Sequence, residues 1–144
     1  MKVKCIANTG EDLPEESIKA GKLRTTIFPI EVGKVYTVYG ISSWKGRLEY
    51  FLDAPVGVPG WYPAELFEMV DHLLPIGWYF EGRKSTFFSR FSAPKRNCIW
   101  SYKEMVLIPE HLIELLEAEE SEATEIFQQR KEEIDEYDNL RKVE

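Results

Sequence analysis

Apolar and polar residues alternate with a period of two over much of the first half of the chain, and recur at steps of three and four in its last third. The first pattern predicts strands and the second predicts amphipathic helices. Val3 to Ala7 reads as an opening strand, with Val3, Cys5 and Ala7 on one side and Lys2, Lys4 and Ile6 on the other. Asn8 to Asp12 supplies turn residues, and the polar stretch 11–24 reads as a long surface loop with room for one helical turn near Ser17. Gly33 marks a tight turn into Lys34–Ile41, the clearest strand, where Val35, Thr37 and Tyr39 alternate with Tyr36, Val38 and Gly40. Residues 42–47 form a hairpin connection, and Leu48–Asp53 returns as its partner strand. The run 54–60 holds too much Pro and Gly for a central strand. Trp61-Tyr62 resumes extended structure, Pro63 stops it, and Glu68–Asp71 is a short closing strand.

Beyond Asp71 the pattern changes. Leu73 to Phe80 is an apolar connector that is expected to pack on the body. Pro109 suits a first helical position, with Leu112, Ile113, Leu115 and Leu116 as an apolar flank. Ser121 is a plausible cap for a second helix, whose Ala123, Ile126, Phe127, Arg130, Ile134 and Tyr137 fall at helical spacing. The last residues, Asp138–Glu144, are expected to fray. The expected class is α+β: a small antiparallel β-barrel over residues 1–71, then further strands and C-terminal helices over 72–144 packed on it as one unit.

The segment Gly60-Trp61-Tyr62-Pro63-Ala64-Glu65-Leu66-Phe67-Glu68-Met69-Val70 resembles the closing part of Src-homology-three domains, where a glycine and an aromatic precede a proline, a helical turn and a last apolar strand. The order of the preceding elements agrees, so the resemblance covers residues 1–71 and implies such a barrel. Peptide-binding members carry a tyrosine three residues after the motif proline and a tryptophan opening the third strand. Here Leu66 and Leu48-Glu49-Tyr50 stand in those places, and the ligand type is left open. A barrel followed by an acidic helical tail also looks like the arrangement of small bacterial proteins of uncharacterised role.

Charge divides the 144 residues unevenly. Residues 104–144 carry 14 acidic and 4 basic side chains, against 11 and 14 in residues 1–103. An acidic tail of this kind repels nucleic acid; it reads first as a solvated helix face, with a surface that attracts a basic partner as the sharper alternative. The basic and aromatic strip 83–100, with Arg83, Lys84, Arg90, Lys95 and Arg96 among Phe87, Phe88 and Phe91, is the one stretch suited to stacking bases and holding phosphates. The favoured reading is instead that the aromatics are the inner face of a strand whose outer face pairs with the acidic helices. No run of apolar residues is long enough for a transmembrane helix, and no signal peptide is evident, so the cytoplasm is the expected compartment. Two cysteines make no disulfide scaffold.

Candidate chemistry is sparse. His72 and His111 sit in no metal-ligand spacing and read as surface or helix-end residues. Cys98, near Lys95 and Arg96, is a nucleophile only if a histidine approaches it, and otherwise a small buried strand residue. Cys5 reads as core. Glu65 and Glu68 are three apart, with no substrate cue beside them. No catalytic residue, metal or cofactor is expected. The leading expectation is a non-catalytic protein-binding molecule, in one version an inhibitor or immunity-type protein. Its candidate surface combines Trp44, Trp61 and Tyr62 from the barrel, Arg83, Lys84 and Arg90 from the basic strip, and Glu117 and Glu120 from the acidic helices. A nucleic-acid-binding barrel using 83–100 and a small hydrolase using Cys98 are the alternatives. Oligomeric state is not legible.

Overall fold

The computed structural model describes residues 1–54, 59–82, 96–117 and 120–141. Among the described residues eight strands form two antiparallel sheets: β1 (Lys2–Cys5), β2 (Val35–Thr37), β3 (Gly40–Trp44), β4 (Arg47–Leu52), β5 (Gly60–Pro63), β6 (Phe67–Asp71), β7 (Tyr79–Gly82) and β8 (Arg96–Ser101). The first sheet runs β2-β1-β6 and the second β5-β4-β3-β8-β7. A short helix, α1 (Glu15–Lys19), interrupts the first long connection, and α2 (Lys103–Leu107), α3 (Pro109–Glu117) and α4 (Glu122–Arg141) follow the last strand. The class is therefore α+β, as expected. Among the described residues the strands pair as two separate sheets, and their ladders do not close into a barrel.

The long strand expected over 34–41 breaks at Val38-Tyr39, and the break explains the architecture. Val38 is fully buried in a first core with Val3, Cys5, Leu52 and Leu66, between the two sheets. Tyr39 turns the other way, into a second core with Phe51, Tyr102 and Phe127. Phe51 and Leu52 divide in the same manner, because successive residues of a strand face opposite sides. The five-stranded sheet is thus the middle of three layers, with the small sheet on one face and the helices on the other.

Local chemistry sets the boundaries. The hairpin connection is shorter than the expected 42–47: Ser42–Trp44 pairs with Arg47–Glu49, leaving Lys45-Gly46 as the turn. Both turn residues have positive φ, 46° and 76°, the conformation of a two-residue turn that matches strand twist. Stretch 11–24 does more than cover the surface, since Leu13 and Ser17 are buried. Gly10 permits this return: a Cβ there would meet the Leu23 carbonyl oxygen at 1.9 Å. At the other end, α4 stays helical through Arg141 and Asp138 is buried, where fraying was expected. Arg141 donates to Asp138 at 2.5 Å and to Asp71 at 2.9 Å, and the amino group of Met1 lies 3.6 Å from Asp138, so the last turn is held by charge.

The apolar connector after Asp71 does not pack as a unit. Pro75 is buried and Trp78 half-buried, but Leu73, Leu74, Ile76 and Phe80 are exposed. No helix among the described residues is long and apolar enough to cross a membrane.

Candidate interaction surface

Helix α4 starts as its sequence predicts. The Ser121 hydroxyl accepts the Thr124 backbone N–H at 3.2 Å, satisfying one amide that the first helical turn leaves open. Ala123, Phe127 and Ile134 recur at helical spacing and are buried against the five-stranded sheet. Phe127 meets Tyr39 and Phe51 edge-on, with ring centroids 5.7 and 5.8 Å apart. The Tyr39 hydroxyl donates to Asp135 at 2.8 Å across the same seam, and burial pushes that phenol well above its ordinary pKa.

The charges of α4 are sorted by side. Its three described cations all reach toward the body. Arg130 donates from Nε and Nη2 to the two carboxylate oxygens of Glu104, at 3.0 and 2.7 Å. Lys131 lies 3.4 Å from Asp53, and Arg141 binds Asp71. The Arg130 hydrogen bonds hold the Glu104 carboxyl below its usual range. The opposite face carries exposed Glu122, Glu125, Glu132 and Glu136, with Glu133 at its edge bonded to Arg130 at 2.9 Å, and α3 adds exposed Glu110, Glu114 and Glu117, with Glu120 following. The helical layer therefore offers solvent a nearly uniform row of carboxylates on a rigid support.

The other expected site residues scatter. Trp44 is half-buried, and the ammonium groups of Lys22 and Lys45 lie 4.5 and 4.8 Å from its ring centroid. Trp61 packs on Phe51 at 5.0 Å, and Tyr62 is buried in the first core. Tyr62 is thus core rather than a surface anchor, and Trp61 is half-buried against the second core, because strand alternation sends the two neighbours to opposite sides of the sheet, both of them covered. Arg83, Lys84 and Arg90 lie outside the described residues. Glu117 and Glu120 belong to the acidic face and are exposed.

Cys98 sits half-buried in β8, opposite Ser43 and Gly82, and Cys5 is buried core. Glu65 is engaged by Arg47 and by the Ser17 hydroxyl, whereas Glu68 is exposed on β6. His72 is exposed, as expected. His111 lies at a helix end, in the first turn of α3, as one of its two expected placements had it, but it is buried there, with Nε2 2.6 Å from the Tyr102 hydroxyl. Burial lowers the imidazole pKa and raises that of the phenol, so both stay neutral and satisfy each other. Sequence reasoning missed this pair because the two residues lie on different elements, and nine positions separate them. Among the described residues no group of three His, Cys, Asp or Glu side chains is placed to hold a metal ion.

No protein-family model, curated protein or solved structure matches the chain.

Proposed function

We propose that the protein is a non-catalytic binding module whose working surface is the acidic outer face of α3 and α4, and that its partner is a protein with a basic surface. The observation that carries this reading is the sorting of charge on α4. Arg130, Lys131 and Arg141 are spent on Glu104, Asp53 and Asp71, while Glu122, Glu125, Glu132 and Glu136 are left to solvent. A helix that only needed solubility would interleave both signs along its outer face. Carboxylates concentrated on a fixed face speed encounter with a basic partner and penalise acidic ones. An inhibitor or immunity-type role toward a basic toxin or nuclease is the concrete form of this reading. Free Cys5 and Cys98 suit a reducing cytoplasmic setting.

A Src-homology-three-like origin for the β body is part of the same proposal. Supporting it are the interrupted strand 35–44, which contributes to both sheets, and the single helical turn Ala64–Leu66 before β6. In this reading β8 and β7 extend the second sheet beyond the edge of β3.

The test is partner capture by the wild-type chain and by a variant carrying Glu122→Lys, Glu125→Lys, Glu132→Lys and Glu136→Lys. A basic protein retained by the first, lost by the second and released as salt rises is the expected result. Equal retention by both chains, at matched thermal stability, overturns the reading.

A further inference from the structure

A cleft of about 290 Å³ opens between the connector after β6 and helix α4. Trp78 and Tyr79 wall it on one side, and Tyr102, Ile134 and Tyr137 on the other. That volume lies at the lower end of small-molecule pockets, roughly 300–1,000 Å³, and suits a compact ring compound.

Two features of the lining narrow what the cleft can hold. The first is charge. Lys103, Arg130 and Glu133 line it, and Arg130 binds Glu104 at 2.7 Å as well as Glu133 at 2.9 Å, so the cations and carboxylates cancel. A cationic ligand would meet exposed Lys103, and an anionic one would meet Glu133 with its exposed neighbours Glu132 and Glu136. The second is a donor. Trp78 Nε1 is buried and meets no acceptor among the described residues, whereas the Tyr102 hydroxyl is already matched by His111 at 2.6 Å. A buried N–H without an acceptor is costly, and a bound acceptor recovers that cost. Trp78 is half-buried on a connector whose Ile76 is exposed, so its ring has room to tilt Nε1 toward a bound atom.

We propose that this cleft binds a small uncharged aromatic compound carrying a carbonyl oxygen, with its ring among the aromatic walls and its oxygen accepting from Trp78 Nε1. Rings such as those of Trp78, Tyr79 and Tyr137 favour a planar ligand through offset and edge contacts. The carbonyl supplies the missing acceptor without bringing a charge that either Lys103 or Glu133 would oppose. The site lies beyond the acidic-face reading and does not depend on it.

The test is an NMR titration of the ¹⁵N-labelled chain with four compounds built on one ring. They are acetophenone, α-methylstyrene (in which a C=CH₂ group replaces the carbonyl), benzoate and benzamidine. The readouts are the Trp78 indole N–H, identified with Trp78→Phe, and the backbone amides of 76–79 and 133–137. In the wild-type chain acetophenone is expected to move the indole signal downfield, which α-methylstyrene does not, and to bind more tightly than benzoate or benzamidine. Trp78→Phe keeps a ring and removes the donor. It should lower the affinity of acetophenone relative to α-methylstyrene about fivefold, the size of one net hydrogen bond. No binding at these amides, an indole signal unmoved by saturating acetophenone, tighter binding of either charged compound, or an affinity ratio indifferent to Trp78→Phe overturns the proposal. The wild-type indole signal decides the matter if Trp78→Phe fails to fold.

Discussion

The two cores of this molecule are held together in different ways. Between the sheets, Val3, Cys5, Val38, Leu52 and Leu66 are fully buried, with the aromatic pairs Tyr36–Phe67 and Phe28–Tyr62 among them. Beneath the helices the packing is aromatic, with Tyr39, Phe51, Tyr102 and Phe127 in contact, and it encloses the Tyr102–His111 pair. The difference follows from how each element fixes its neighbours. Strands are set in register by their backbone ladders, so the core between them needs only volume. A helix satisfies its own backbone and can slide or roll on a sheet. Its seam is therefore fixed by directional side-chain bonds: Tyr39 to Asp135, Arg130 to Glu104, and Arg141 to Asp71.

The most severe way to break the contrast is Phe127→Ala, which removes the ring at the centre of the helical core. Denaturant unfolding should show a loss of about 3–5 kcal/mol, against about 2–5 kcal/mol for Leu66→Ala in the sheet core. Next comes Tyr102→Phe. It preserves shape but strips the buried imidazole of its partner, and should cost about 1–3 kcal/mol. The comparable change in the sheet core, Tyr36→Phe, removes the hydroxyl that accepts the Glu31 backbone N–H and should cost about 0.5–1.5 kcal/mol.

A gentler probe is acid. Burial holds the folded His111 pKa below its unfolded value near 6.5, so the unfolded chain binds the extra proton first. Its contribution to stability is present above about pH 6.5 and is lost as pH falls through that value toward the folded pKa. Stability curves from pH 8 to pH 5 should slope downward in the wild type and less so in His111→Phe. The smallest effect belongs to the outer face. Glu122→Gln with Glu125→Gln should leave stability within about 0.5 kcal/mol while weakening capture of a basic partner.

Much of this organisation can be read from the residues alone. Period-two runs around Val3, Tyr36 and Phe51 and the helical spacing of Ala123, Phe127 and Ile134 locate the elements, because burial on one side imposes them directly. Ser121 and Pro109 mark helix starts for local reasons, and both do so in the structure. What escapes is whatever depends on distant segments meeting. The burial of Asp138 needs Arg141 and the amino group of Met1 beside it, and the burial of His111 needs Tyr102. The acidity of the helical layer is visible in composition, but its one-sidedness is not. Only the placement of Asp53, Asp71 and Glu104 beneath α4 reveals where its cations are used.

The consecutive pairs Val38-Tyr39 and Phe51-Leu52 act as rivets, each driven through the middle layer with a head in either core. Neither side can be peeled away without drawing the rivets from the other, so the layers should melt together rather than in stages. A load applied at the carboxylate row would, by the same fastening, stiffen amide exchange as far away as the opening strand.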